Sequence, residues 1–297
     1  MHLVTFTEAD QVRIGILDRK QVAVVDLRMA QSDLPTNMLD FIAHGPVALK
    51  LAQDAVNSGM GRIALDRVRL LAPIPRPARN IFCIGKNYRA HVQELQGADS
   101  SLASRDKDAL PEKPIIFTKA TSSVIGPHAP IPASLDPTAS ADYEGELAVI
   151  IGQGGRGIRY ADAMQHVFGY TILNDVTSRR MQREHQQWFL GKSLDGFCPM
   201  GPAIVTADEV ADVCQLRVQT WIGTELRQDD VVASLIFDIP TLIETLSRSM
   251  TLEPGDIIAT GTPAGVGMGF KPPRFLQKGD VVKITIDPIG TLENPVA

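Results

Sequence analysis

Asp142-Tyr143-Glu144-Gly145-Glu146-Leu147-Ala148-Val149-Ile150-Ile151 is the stretch on which the fold turns. Side chains alternate along a strand, so Glu144 and Glu146 share a face with Ala148 and Ile150, while Tyr143, Leu147, Val149 and Ile151 occupy the other. A strand apolar on both faces is a buried one, of the kind found between layers. Two like charges on its inner face repel strongly unless a cation lies between them, and a divalent metal ion is the simplest such cation.

Outward from this strand the chain continues as short β-branched segments: Ile81 to Ile84, Ile115 to Thr118, Tyr170 to Leu173, Leu216 to Trp221, Asp256 to Ala259 and Val281 to Ile286. Gly/Pro turns separate them, and helices are few, Ile239 to Ser247 being the clearest. This distribution predicts a mixed sheet wrapped on itself, not a regular βαβ series. The first seventy or so residues read as short strands (Met1 to Phe6, Val12 to Leu17, Val22 to Asp26) and a helical run from Met38 to Asn57. The proline-rich stretch Ala72-Pro73-Ile74-Pro75-Arg76-Pro77 breaks every regular pattern and acts as a linker. It predicts a small N-terminal domain, residues 1–72, ahead of a larger unit, residues 73–297.

A third carboxylate, Asp175, ends the run Gly169-Tyr170-Thr171-Ile172-Leu173-Asn174-Asp175-Val176. Three hard oxygen donors without His or Cys suit Mg²⁺, Mn²⁺ or Ca²⁺ and disfavour zinc. From spacing alone, a solvated Glu pair on an edge strand with Asp175 as a helix cap is the competing reading. In Gly85-Lys86-Asn87-Tyr88-Arg89-Ala90-His91-Val92-Gln93-Glu94, a helix beginning after Asn87 would set His91 and Glu94 on one face. The carboxylate could then fix the imidazole tautomer and make a general base, although an exposed helix pair has the same spacing. The polar stretch from Gly97 to Pro114 reads as a mobile surface loop able to carry this pair as a lid. Lys192, in the apolar, turn-rich context Trp188-Phe189-Leu190-Gly191-Lys192-Ser193, could stabilise an enolate or carboxylate, or merely snorkel. Thr260-Gly261-Thr262-Pro263-Ala264-Gly265-Val266-Gly267 follows a strand and offers N–H groups and a Thr hydroxyl to an anion, without the Lys of a phosphate loop.

Gly152-Gln153-Gly154-Gly155-Arg156-Gly157 matches a dinucleotide-binding spacing directly after a strand. Three features oppose that reading: the following helix, roughly Tyr160 to Val167, is short, the preceding strand carries two acids, and no further βαβ units appear.

Composition narrows the classes further. The chain has 297 residues, 44% of them apolar, enough for a sizeable core in a soluble globular protein. A net charge of -5 with no Lys/Arg cluster gives no attraction to nucleic acid or an anionic membrane. No segment approaches 18 uninterrupted apolar residues and no leader is evident, so a cytoplasmic location is expected. Three widely spaced cysteines, Cys83, Cys198 and Cys214, fit reduced buried thiols better than a disulfide framework or a zinc knuckle.

Taken in order, the segments Gly85 to Glu94, Asp142 to Leu147, Gly169 to Val176, Gly191-Lys192-Ser193-Leu194-Asp195-Gly196-Phe197-Cys198-Pro199-Met200-Gly201-Pro202 and Gly255 to Gly267 resemble the fumarylacetoacetate hydrolase superfamily. The resemblance covers the chain from about Pro73 to the C-terminus and is loose before it. It implies an α+β fold built on a mixed β-roll, usually a homodimer, and Mg²⁺ or Mn²⁺ (Ca²⁺ as a further option) bound by Glu144, Glu146 and Asp175. It also implies a His91/Glu94 dyad on a lid, and Lys192 and Thr262 in contact with substrate oxygens. Lys86 and Tyr88 beside the dyad are further candidate substrate contacts, and pocket residues such as Gln187 and Trp188 would select the outcome. The namesake enzyme has a further carboxylate ligand upstream of its catalytic His. The matching residue here is Ile84, so the chain is similar to the three-ligand branch of acylpyruvases, oxaloacetate decarboxylases and isomerases of aromatic degradation. The expected function is metal-dependent hydrolysis of a carbon–carbon bond in a 2,4-dioxo acid through an enolate. The alternatives are decarboxylation or isomerisation of a small 2-oxo acid at the same site, or a metal-binding homologue without activity.

Overall fold

A computed structural model describes residues 1–18, 22–97 and 110–297. Most of the Gly97 to Pro114 loop expected to act as a lid lies outside the described residues.

Only part of the Asp142 to Ile151 stretch forms the expected central strand: Ala141–Asp142 pairs with Thr177–Ser178 in a separate two-stranded sheet, and Tyr143 and Glu144 link it to the strand that starts at Gly145. Gly145–Ile151 pairs antiparallel with Val167–Asn174 on one side and with Ile257–Ala259 on the other. Among the described residues these belong to a twelve-stranded mixed sheet, whose main path runs from Arg62–Ala64 at one edge to Ile115–Lys119 at the other. Ile257–Ala259 runs parallel to Ile81–Gly85, which brings the strand before the His91 segment beside the strand before the Thr260 loop. The first strands enter the same sheet, His2↔Val205 and Leu3↔Ile204 being the joining pairs.

The two faces of Gly145–Ile151 are buried against different partners, as the alternation requires. Leu147, Val149 and Ile151 pack in a core with Val218, Ile284 and Leu292 of a four-stranded sheet formed by Arg217–Ile222, Glu225–Val231, Val281–Ile286 and Gly290–Pro295. Ala148 and Ile150 pack in a second core with Phe41, Ile42, Ala48 and Ala52, supplied by two N-terminal helices. Burial on both sides, at roughly 1.5–3 kcal/mol for each large aliphatic side chain, holds the strand and the acids at its start in place.

The helical run from Met38 to Asn57 is broken in two, Met38–Ala43 and Gly45–Ser58. His44-Gly45-Pro46 explains the break, because Gly45 adopts φ +52° and Pro46 can only open a new helix. The strands Cys198–Thr206, Glu225–Val231 and Gly290–Pro295 escaped the sequence reading. Proline and glycine dilute the first and polar residues the second. The dinucleotide reading of Gly152 to Gly157 fails on topology: the strands flanking it are antiparallel, and Tyr160–His166 is a 3₁₀ segment, so there is no βαβ crossover. None of the described helices is long and apolar enough to cross a membrane.

Candidate metal centre and active site

Register sets the acid site. Gly145 pairs with Asn174, and just beyond that pair the chains stay linked, because Asp175 N donates to Glu144 O (2.8 Å) and Glu144 N donates to Asn174 Oδ1 (3.0 Å). Glu144, Glu146 and Asp175, all buried, each offer one carboxylate oxygen within 4.8 Å of the others. The solvated-pair and helix-cap readings of these acids do not hold.

Three buried cations support this acid set. Lys192, at the end of the short helix Phe189–Lys192, places Nζ 2.7 Å from both Glu144 Oε2 and Asp175 Oδ2. Lys119, the last residue of Ile115–Lys119, lies 2.8 Å from Asp175 Oδ1 as an ion pair and donates to the carbonyls of Val176 (3.0 Å) and Lys192. Arg179 donates from Nη1 to Glu144 Oε1 (2.5 Å) and from Nε to Asp142 Oδ2 (2.8 Å). Burial acts to raise the Glu144 pKa, but Lys192 and Arg179 outweigh it and bring the group down to about 2. Burial likewise works against the Lys192 charge, and Asp175 and Glu144 restore it, leaving its pKa raised.

Glu146 differs. Its Oε2 accepts from Gly261 N (2.8 Å), yet no ion pair among the described residues reaches it. Burial first, then the Asp175 and Glu144 charges, push its carboxyl well above the ordinary range. A buried carboxylate short of a counter-charge, in a cluster of hard oxygen donors, fits a divalent cation.

The cavity is lined at one end by Glu144, Glu146, Arg179 and Lys192, and elsewhere by Lys86, His91, Arg183, Gln182, Trp188 and Thr262. Ile84 is one of its apolar walls. The helix Arg89–Gly97 presents His91 to the cavity, with Nδ1 3.0 Å from Glu94 Oε2. Asn87, fully buried, fixes the start of that segment through bonds to the carbonyls of Thr260 (2.8 Å) and Phe237 (3.0 Å). On the opposite wall Trp188 packs edge-on against Phe117 at 5.1 Å, and Phe117 in turn lies 4.9 Å beneath Lys192 Nζ. The Trp188 ring fits because residue 85 is glycine: a Cβ there would overlap the indole.

Of the sequence candidates, Glu144, Glu146, His91, Lys192, Lys86, Trp188 and Thr262 line the cavity, with Asp175 and Glu94 directly behind. Tyr88 and Gln187 do not line it. Tyr88 is wholly buried and bridged to Leu235, and Gln187 is exposed. The Thr260 to Gly267 loop does give N–H groups to anions, but these are the protein's own carboxylates: Glu146 from Gly261, Glu94 from Gly265 and Asp142 from Gly267. Thr262 Oγ1 donates to Gly145 O (3.0 Å) and accepts from Gln228 (2.7 Å).

Lys119, Asp142 and Arg179 were missed. The ion pairs of each join segments distant in sequence, and the one local hint was a lysine closing the strand Ile115–Lys119.

Comparison with known proteins identifies the family. Residues 80–297 match the family model described as fumarylacetoacetate (FAA) hydrolase C-terminal. The chain is 47% identical over 287 residues to oxaloacetate tautomerase YisK of Bacillus subtilis (strain 168), covering 92% of each. A fumarylacetoacetate hydrolase structure from psychrophilic Exiguobacterium antarcticum superposes with TM-score 0.83 at 43% identity, covering 100% of this chain and 99% of that one. Maleylpyruvate hydrolase from Sphingobium sp. SYK-6, solved in complex with manganese (II) ion and pyruvate, gives TM-score 0.79 at 33% identity over 100% and 99%. This chain belongs to the fumarylacetoacetate hydrolase family of enzymes.

Proposed function

We propose that this protein is a divalent-metal-dependent enzyme acting on a small 2-oxo dicarboxylic acid by moving a proton between its keto and enol forms. The observation that carries the reading is the meeting, in one cavity, of the Glu144, Glu146 and Asp175 acids with a His91–Glu94 pair and a cationic lining of Lys86, Arg179, Arg183 and Lys192. A divalent cation, Mg²⁺ or Mn²⁺, held by the three acids would supply Lewis acidity toward the 2-oxo group. The protein's own residues do the rest. Arg and Lys side chains in the wall attract and orient a doubly anionic substrate. His91, its Nδ1 held by Glu94, uses Nε2 to take a proton from C3 while the C2 oxygen gains one, and in ketonisation delivers a proton to C3 as the C2 hydroxyl loses its own. As electron density moves from the C3–H bond to the C2 oxygen, Lys192 stands beside the acid set as a fixed positive charge, and such a charge helps most when the oxyanion develops. The likeness to the Bacillus tautomerase over 92% of both chains supports oxaloacetate as the substrate class.

Hydrolysis of a 2,4-dioxo acid is the second reading, supported by the likeness to the Sphingobium maleylpyruvate hydrolase. There His91 would deprotonate water for attack on the distal carbonyl; the carbon–carbon bond breaks, its electron pair leaving as a pyruvate enolate that is then protonated.

The test is a stopped ultraviolet assay of enol-oxaloacetate ketonisation with Mg²⁺ or Mn²⁺, run beside a panel of acylpyruvates, fumarylpyruvate and hydroxymuconate-type dioates with products identified by mass. Metal-dependent acceleration of ketonisation above the buffer rate supports the first reading, and cleavage products support the second. If the metal-loaded protein accelerates neither, the proposal fails.

A further inference from the structure

Residues 142–146 and the loop 261–268 are joined rung by rung. Glu146 Oε2 accepts from Gly261 N (2.8 Å), and Thr262 Oγ1 donates to Gly145 O (3.0 Å). Tyr143 Oη donates to Gly265 O (2.7 Å), and Asp142 accepts from Gly267 N (2.7 Å) and Met268 N (3.0 Å). The segment that supplies two acids therefore grips the loop with neighbouring residues.

One further rung reaches the helix that carries His91. Gly265 N donates to Glu94 Oε1 (2.8 Å), and Glu94 Oε2 lies 3.0 Å from His91 Nδ1. Only glycine fits at 265, because its φ is +106° and a Cβ would run into the Arg227 carbonyl, so the loop passes directly against the strand that carries Arg227. The Tyr143 ring is held in the apolar core between the sheets, and Arg227 Nη1 donates to its oxygen at 3.3 Å. A rigid phenol thus fixes the carbonyl of the residue whose amide fixes Glu94.

We propose that Tyr143 is a positioning residue for the His91–Glu94 pair, acting through Gly265 although it points away from the cavity. This rests on the reading of that pair as the proton-transfer group.

The test is a double-mutant cycle on the metal-loaded protein, using whichever 2-oxo acid reaction the assay above establishes. Tyr143→Phe deletes one hydroxyl and keeps the ring. It should lower kcat about tenfold, within the range for groups that orient a functional side chain. KM and the Mn²⁺ affinity measured by calorimetry should stay within about twofold of the parent. In a Glu94→Ala background the same change should have no further effect on kcat, since the link has lost its receiver. Arg227→Met, which removes the donor behind the phenol, should give a smaller loss, about two- to threefold, with the same split.

Equal losses from Tyr143→Phe in the parent and in Glu94→Ala would overturn the link through Glu94 while leaving the pair's role standing. An unchanged kcat in Tyr143→Phe would also overturn it, as would a loss confined to KM or metal affinity. An unchanged kcat in Glu94→Ala would instead defeat the role of the pair, and this proposal with it.

Discussion

At the acid end of the cavity Asp175 is reached by two buried ammonium groups, and Glu144 by one ammonium and one guanidinium, from residues spread over three segments. At the other end Glu94 has one backbone N–H and its imidazole partner, on a nine-residue helix leading toward residues 98–109, which lie outside the described set. The first arrangement is over-determined, so losing one contact leaves others to hold the geometry. The second depends on few bonds and should tolerate movement but not deletion. Ion placement requires fixed oxygen positions, whereas a proton carrier must approach and leave its substrate.

The comparison breaks most sharply at Glu146. Glu146→Gln should abolish detectable Mg²⁺ or Mn²⁺ binding by calorimetry and, with it, turnover. The same change should stabilise the metal-free protein by about 1 kcal/mol or more in a urea titration, because it removes a buried carboxylate without a counter-charge. Metal affinity unchanged in this variant would refute the ligand assignment.

Lys119→Met tests whether the acid end is held by its cations. Removing one partner of a buried pair costs roughly 3–5 kcal/mol, and saturating Mn²⁺ should recover part of the loss. A variant as stable as the parent without metal would show that Lys119 is dispensable.

At the dyad end, His91→Ala should lower turnover about a hundredfold or more with metal affinity near normal. Metal binding lost along with activity would place His91 in the acid site instead. Asn87→Ala should give the smallest effect, about 1–3 kcal/mol of stability from the buried carbonyls it would leave unpaired, read as a lower Tm with little change in metal affinity.

The difference between the ends also explains what could be read from the chain alone. The acid strand announces itself because alternation is local: seven successive residues, Gly145–Ile151, show both faces to be apolar. His91 and Glu94 are three apart on one helix, and their pairing needs no distant information. Lys119 and Arg179 instead gain their meaning from Asp175 and Glu144, which are 56 and 35 positions away. No periodicity encodes such meetings. Tyr88 misled for a related reason: it sits between Lys86 and His91, which do line the cavity, but its backbone bridges to distant Leu235 and its side chain is wholly buried outside the cavity lining. The polar strand Glu225–Val231 was invisible because its stability comes from pairing with Arg217–Ile222 and from the buried Gln228, not from an apolar pattern.

The bare backbone at Gly85 works as a steric gauge. The indole of Trp188 lies where a side chain at 85 would be, so a single methyl group there would force the ring to shift and reshape the cavity that both residues line. On the proposed function, the room left for a dioate therefore depends on a missing carbon, and an exchange at this one codon should change the range of accepted chain lengths without touching any charged group.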